Sequence, residues 1–397
     1  MMKEKLFQQL DENFGKIIEL YHWLHQHAEL SFQEKETSRF IESFYSRFAS
    51  DSSVKVQTGV GGNGVVVTID TGRAGKTIAL RADFDALPIV EETNLAYASK
   101  NQGVMHACGH DAHTAYLMVL AEILIGMKDA LKGKIVIIHQ PGEEVSPGGA
   151  SLMIKDGVLE GVDNVFGCHV MSQLPLGQVL YHAGATQQAR ANFSITLQGK
   201  GGHGAAPHEA NDALVAGSFL VTALQTIISR RVNPFEAGVV TIGNFDGQGT
   251  PNIIKDSVLL QGDVRCISED VGELIEAQVH QISQGIGMAF GCEVSVDYHK
   301  DYPVLMNDNA MTALLVQALE KAAIDEVTAV VDGGQQAPSE DFSFYTKEMP
   351  CCFFYIGASK KEDNYPHHHP KFEIAEESMI IAAKSMGAVV LEYMGLL

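Results

Sequence analysis

The chain of 397 residues contains no stretch of about eighteen uninterrupted apolar residues, and its opening MMKEKLFQQLDENFGKIIEL scatters charge through the apolar positions. Neither a bilayer-spanning helix nor a secretory h-region fits this pattern, so a soluble, cytoplasmic protein without a membrane partner is expected. The most apolar helical candidate, TAYLMVLAEILIGM, is short and interrupted by Glu122. Cationic side chains are scarce as well. Against 49 Asp and Glu stand 28 Lys and Arg, a formal charge of −21, which lacks the positive footprint that nucleic acid requires. The six cysteines (108, 168, 266, 292, 351, 352) have no framework spacing, which argues against a disulfide scaffold. In a reducing compartment, a cysteine among histidines is more often metal-binding or catalytic than bridged. No internal repeat or low-complexity linker stands out.

What is present reads as a folded α/β chain. Hydrophobic residues at 46% and charged ones at 19% are ordinary for a globular protein, and the length fits two domains. Leu6, Leu10, Phe14, Ile17, Ile18, Tyr21 and Leu24 recur at helical spacing and predict a helix over 3–28, with another near 34–48. GVVVTID, KTIALRAD, GKIVIIHQP and DNVFGCHV are short, β-branched and bounded by Gly or Asp, as buried strands are. A helix over 110–127 separates two of them, so the first domain is read as a mixed sheet with helices on both faces.

The pattern then changes. Strands at 191–200, 237–245, 257–268 and 292–299, with helices at 211–231 and 269–290, run β-α-β-β-α-β, the order of a ferredoxin-like α+β unit. The expectation is an inserted domain over 184–293 and a first domain made of 1–183 and 294–397. A helix at 308–323, the strand CCFFYIG and a helix at 375–394 complete the first domain.

The chemistry concentrates in MHACGHDAHT (105–114), where Cys108 sits among His106, His110, His113 and Asp111. That stretch alone leaves Cys108 open as nucleophile, redox thiol, metal ligand or structural residue. Cys108 and His110 are two apart and cannot share a helix face, but Gly109 suits a turn at the helix entrance where both can converge. HQPGEE (139–144) follows a strand and presents Glu143 and Glu144 in different directions, so one can bind metal while the other moves a proton. His169 ends the apolar strand GCHV, and YPHHHPKFEI places a histidine loop before the last helix.

Each of these has a structural explanation by itself. Jointly they form a ligand set for one or two divalent ions, with thiolate and imidazole favouring Zn and the carboxylates leaving room for Mn. Asp85, in RADFDALP, can accept the second ring N–H of a ligand histidine or cap a turn. GKGGHGAAPH either presents His203 or makes a tight turn, and Asn252 and Arg265 are open between substrate-binding and structural roles.

Together with LHQHAELSFQE, LRADFDALPI, PNIIKDSV, GDVR, SEDFSFY and the late HHP, these motifs run in order through nearly the whole chain. The set resembles the M20 metallopeptidase family, in its amidohydrolase branch of N-acyl-amino-acid, hippurate and indole-acetyl-amino-acid hydrolases. The resemblance implies two divalent ions per subunit, Zn or Mn, ligated by Cys108, His110, Glu144, His169 and His368. His368 is taken from the triplet because the family's ligand precedes proline by two residues. Also implied are Glu143 as general base toward metal-activated water, with Asp85 beside it, and His203 reaching from a partner subunit's inserted domain to stabilise the oxyanion. Asn252 and Arg265 match positions near the substrate. Asp83-Phe84-Asp85 departs from the His-x-Asp of many peptidase relatives, a change that the amidohydrolase branch shares.

The implied activity is hydrolysis of an amide bond in N-acyl amino acids or small peptides. The implied assembly is a homodimer through the inserted domain, or a tetramer built from it. Aminopeptidase or dipeptidase action is the alternative. A cysteine-nucleophile amidase, which needs no metal, and a non-catalytic binding protein are more distant rivals.

Overall fold

A computed structural model of the chain describes residues 2–360 and 364–397. Three helices open it, α1 (Met2–Glu12), α2 (Phe14–Gln26) and α3 (Lys35–Ser46), followed by strands β1 (Val54–Val60), β2 (Gly64–Asp70) and β3 (Thr77–Asp83). Next come α4 (His110–Met127), β4 (Lys134–Gln140), α5 (Gly149–Lys155), β5 (Asn164–Pro175) and β6 (Gln178–Tyr181). The middle of the chain supplies β7 (Ala189–Gln198), α6 (Ala213–Arg230), β8 (Gly238–Asp246), β9 (Ser257–Cys266), α7 (Glu269–Phe290) and β10 (Glu293–Tyr302). It ends with α8 (Asn309–Ala322), β11 (Ala329–Asp332), α9 (Ser343–Glu348), β12 (Cys351–Ser359) and α10 (Glu377–Tyr393).

Two units result, Met1–Gly184 with Met306–Gly334 and Glu340–Leu397, and Ala185–Leu305 with Gln335–Ser339. The division keeps β10 with the second unit, so the boundary expected at 293/294 falls inside a strand that pairs along β7.

In the first unit the sheet order is β1-β2-β4-β3-β5-β12-β6-β11. β3 runs parallel to both β4 and β5, and β12 is parallel to β5, whereas β1, β2 and β4 pair antiparallel. Every residue of β3 is buried, as a continuous apolar run in a parallel sheet covered on both faces requires. α4 is buried along almost its whole length and packs against α2, α10 and β3. The helix expected over 3–28 is broken at Asn13 (φ −103°, ψ 9°), whose side chain donates to the Gln9 carbonyl instead of letting the spiral continue. β1 was not expected, because an edge strand with mostly solvent-facing residues lacks the apolar run that marks its neighbours.

The second unit is a four-stranded antiparallel sheet in the order β8-β9-β7-β10, the split βαβ of a ferredoxin-like fold. α6 has the length and, at 1.4, the mean hydropathy of a bilayer span. Ala213, Ala216, Leu220, Leu224 and Ile227 nevertheless fall at amphipathic spacing and belong to this unit's own core.

One buried strand residue couples the fold to pH. The Nε2 atom of His139 on β4 lies 2.9 Å from the Tyr45 hydroxyl and Nδ1 lies 3.4 Å from Thr114 Oγ1, which itself donates to the Asp83 carbonyl. A neutral ring that accepts from Tyr45 satisfies this arrangement, and burial lowers the His139 pKa from 6.5 to about 3. On acidification the unfolded chain therefore takes up this proton first, and stability is lost as pH falls below about 6.5. Between about pH 6 and pH 4, His139→Gln should flatten the fall of unfolding free energy by up to about 1.4 kcal/mol per pH unit, read from urea titrations.

Candidate metal centre and active site

The parallel strands deliver the polar residues at their carboxyl ends, where open α/β sheets place their sites. β3 ends at Asp83, β4 leads into the Glu143–Glu144 turn, and His169 lies on β5. His110 is the first residue of α4, preceded by Gly109 in the left-handed conformation (φ 97°). A side chain at Gly109 would come within 2.4 Å of Val170 Cγ2, so the close approach of this turn to β5 requires glycine.

Two donor groups share Cys108: Cys108 with His110 and Glu144, and Cys108 with His169 and His367, each set of ligand atoms lying within 4.8 Å of one another. Cys108 Sγ is 3.4 Å from His169 Nε2, and His368 Nε2 is 3.1 Å from Glu144 Oε1. His110 Nε2 stands 4.0 Å from both Glu143 Oε2 and Glu144 Oε1.

The tautomers suit metal binding. His110 Nδ1 lies 3.0 Å from Asp85 Oδ1, and His169 Nδ1 lies 2.7 Å from the Val170 carbonyl. Both Nδ1 atoms therefore carry a proton and Nε2 is the nitrogen each ring turns toward the site; burial works to lower His110, but Asp83 and Cys108 outweigh it and hold the metal-free ring well above the usual imidazole range. Among the described residues, buried His110 Nε2 has no hydrogen-bond partner, and buried Glu144 Oε1 has none of good geometry. Orphaned buried donors of this kind, aimed together with a thiol, fit divalent cations. Burial and the Glu144 carboxylate push the Cys108 thiol up, while hydrogen bonds to Cys108 and Glu144 raise His368 to about 10. Burial, with Glu340, Glu144 and Asp341 close by, pushes Glu143 well above the usual carboxylate range.

The histidine triplet divides unequally. His369 turns away, its Nδ1 accepting from the Lys371 amide at 3.0 Å. His368 adopts a left-handed backbone (φ 65°) and reaches Glu144, while His367 approaches the Cys108–His169 pair. The histidine loop was expected at the site with His368 selected by spacing, and His367 stands beside the ligands as well.

Behind the donors lies a charge network that sequence reasoning missed. The fully buried Arg81 donates to Gln140 Oε1 (2.9 Å), Asp83 Oδ2 (2.7 Å), Glu340 Oε1 (2.9 Å) and Asp341 Oδ1 (2.8 Å). The Asp341 amide in turn lies 3.4 Å from Glu143 Oε1. On the other side, the Val170 amide donates to His113 Nε2 at 2.9 Å, which fixes the proton on Nδ1, 2.7 Å from Asp83 Oδ1. Burial works to raise Asp83, but Arg81, His110 and His113 outweigh it and hold the carboxyl well below its usual value. The signal available in advance was an arginine inside the apolar run KTIALRAD.

Asp85 also joins two ligands, since its Oδ2 accepts from the Glu144 amide at 3.0 Å. His203, Asn252 and Arg265 belong to the second unit. His203 pairs with Ile253 in a two-residue ladder beside Asn252, and its Nδ1 accepts from the Ala205 amide at 3.1 Å, leaving Nε2 as the donor. Arg265 lies apart from that turn, with Nε on Asp263 Oδ2 (2.8 Å) and Nη1 on Ser339 Oγ (3.3 Å).

Residues 79–392 match the model of peptidase family M20/M25/M40. The chain is 41% identical to the YhaA protein of Bacillus subtilis (strain 168), covering 99% of this chain and 98% of that one. It is 38% identical to an N-acetyl-L-cysteine deacetylase of the same organism, covering 93% and 86%. Among solved structures, the YXEP protein of Bacillus subtilis, a dinuclear metal binding peptidase from the M20 family, superposes with a TM-score of 0.83 at 28% identity, covering 98% of this chain and 100% of that one.

Removing the cation at the centre of the network should be costly. Arg81→Met leaves Asp83, Glu340 and Asp341 facing one another in the interior, and should cost roughly 3–5 kcal/mol in urea unfolding. Arg81→Lys should recover only part of this, because an ammonium cannot reach four acceptors in the guanidinium's planar fork. A methionine variant as stable as the parent would show that the network carries no such strain.

Proposed function

The chain belongs to peptidase family M20/M25/M40, and on that premise we propose that it hydrolyses the amide bond of N-acyl amino acids with two divalent ions, Zn or Mn, per subunit. The observation that carries this reading is the sharing of Cys108 between two donor groups beside the paired carboxylates Glu143 and Glu144. Cys108, His110, Glu144, His169 and His368 would hold the ions. Such ions lower the pKa of a water molecule and polarise an amide carbonyl.

The chain's own residues supply the rest. Glu143 takes the proton from the attacking water and returns it to the leaving amine nitrogen, a transfer suited to a carboxyl whose burial and anionic neighbours raise its proton affinity. Asp85 orients His110 and, through its other oxygen, the Glu144 amide. His203 donates from Nε2 to the oxyanion, and Asn252 and Arg265 bind the substrate. The likeness to an N-acetyl-L-cysteine deacetylase supports the N-acyl amino acid substrate.

His203 acts in a partner subunit's site, within a homodimer formed through the second unit. Support comes from that unit's outer face. Leu214, Val215 and Phe219 on α6 are 40%, 42% and 57% exposed. On the same helix the Ser218, Thr222 and Ser229 hydroxyls bond back to α6 carbonyls, which blunts its polarity. Six free cysteines fit a reducing cytoplasm.

Glu143→Gln should keep its metal content, measured by elemental analysis, while turnover on a panel of N-acyl amino acids falls by about 10²–10⁴-fold. Chelation should abolish wild-type activity and Zn or Mn should restore it, whereas activity indifferent to chelation would sink the metal mechanism. His203→Ala should lose about 10²–10³-fold in kcat, and mixing it with Glu143→Gln subunits should restore part of the activity. Demonstrated subunit exchange without any rescue would count against a shared site.

A further inference from the structure

We infer that Glu34 is a positioning residue for the Glu143–Glu144 turn, a buckle fastening the LSFQE segment to the end of β4. The inference rests on Glu143 being the proton carrier. Glu34 is fully buried and occupies the N-cap position of α3, yet its side chain caps none of that helix's amides. Its carboxylate turns elsewhere. Oε1 accepts from two main-chain amides, Phe32 at 2.8 Å and Gly142 at 2.9 Å, and Oε2 accepts from Asn63 Nδ2 at 2.9 Å.

Phe32 and Gly142 both have left-handed backbones, with φ of 64° and 63°. The Phe32 ring lies so close over Gly142 that a Cβ there would meet it at 2.4 Å. One carboxylate oxygen thus joins two special turns from distant parts of the chain.

The neighbouring Ser31 extends the same buckle. Its hydroxyl donates at 2.7 Å to Asp85 Oδ2, the oxygen that also receives the Glu144 amide at 3.0 Å. The turn is therefore held at Gly142 by Glu34 and at Glu144 by Asp85, with Glu143 between the two fastenings. Burial and the Asp85 carboxylate, the titratable group that faces Glu34 from the connection after β3, raise it to about 7. Asn63 and the amides of Phe32 and Gly142 bring no charge to offset that.

The test compares Glu34→Ala, Glu34→Asp and Glu34→Gln in the full chain, with Glu143→Gln alongside. Glu34→Ala should speed amide hydrogen exchange in the 141–146 segment of both metal-free and Zn-loaded protein, while α4 stays protected. It should lower kcat by about 10²-fold with KM within about threefold and zinc content unchanged. Glu34→Gln should restore both kcat and protection, because its amide oxygen still accepts both main-chain amides and a reoriented Asn63 can accept from its NH₂. Should the alanine variant fail to fold, Glu34→Asp serves as the loss variant, since a side chain one methylene shorter cannot reach both amides.

Unchanged exchange in the turn with wild-type kcat overturns the inference. So does a glutamine variant as impaired as the loss variant. Full turnover in Glu143→Gln would instead remove the premise about the proton carrier, and the exchange measurement would still decide whether the buckle exists.

Discussion

A guanidinium in the protein interior makes the arrangement of acids around it possible. Asp83, Glu340 and Asp341 crowd the ends of β3 and β4, and each would cost several kcal/mol as a lone buried charge. Arg81 meets all three and Gln140 besides, a task that suits its planar, multiply donating head and no other side chain. From that hub the hydrogen bonds run outward to both sides of the centre. One branch passes through Asp83 and His113 to the amide next to His169, and the other through Asp341 to Glu143. A ligand strand and the proton carrier are thereby referenced to the same fixed charge.

The donors around Cys108 are prepared in the same manner. His110 and His169 each set Nδ1 against an oxygen of the scaffold, so in both rings Nε2 is the nitrogen that the fold turns toward the donor set. Strand β5 carries His169 and the turn after β4 carries Glu144, and the left-handed Gly109 lets a thiol and an imidazole two residues apart face the same space. Carboxylates that repel one another and a thiol driven toward its neutral form describe a site whose electrostatics are incomplete without cations.

Much of this was legible in the chain. β3, β4 and β12 were readable as short, largely apolar runs, α6 and α7 by their periodicity, and the ferredoxin-like unit by the order of its elements. The residues around Cys108 were readable because their types are unusual and recur at strand ends. Arg81 and Glu340 were not. Their significance lies in contacts between segments far apart in sequence, and the one local hint, an arginine inside an apolar run, does not name its partners. β1 stayed hidden because an exposed edge strand carries little apolar signal, and the break at Asn13 because one polar residue seldom overrides a helical stripe.

The place of β12 in the sheet sets a timetable. The second unit's sheet is drawn from one continuous stretch, β7 to β10, and is complete before β11 and β12 are made. The first unit's sheet is not, because β12 lies between β5 and β6 and must be inserted after both have been made. Glu340, Asp341 and the histidine loop arrive with it, so Arg81 waits 259 and 260 residues for two of its acid partners. Chains fold in domains as they emerge, and here a chain made only as far as β6 holds Cys108, two histidines and two glutamates without β12, the histidine loop or two of Arg81's acid partners. The capacity to cut amide bonds therefore appears only after β12 and the histidine loop have been made.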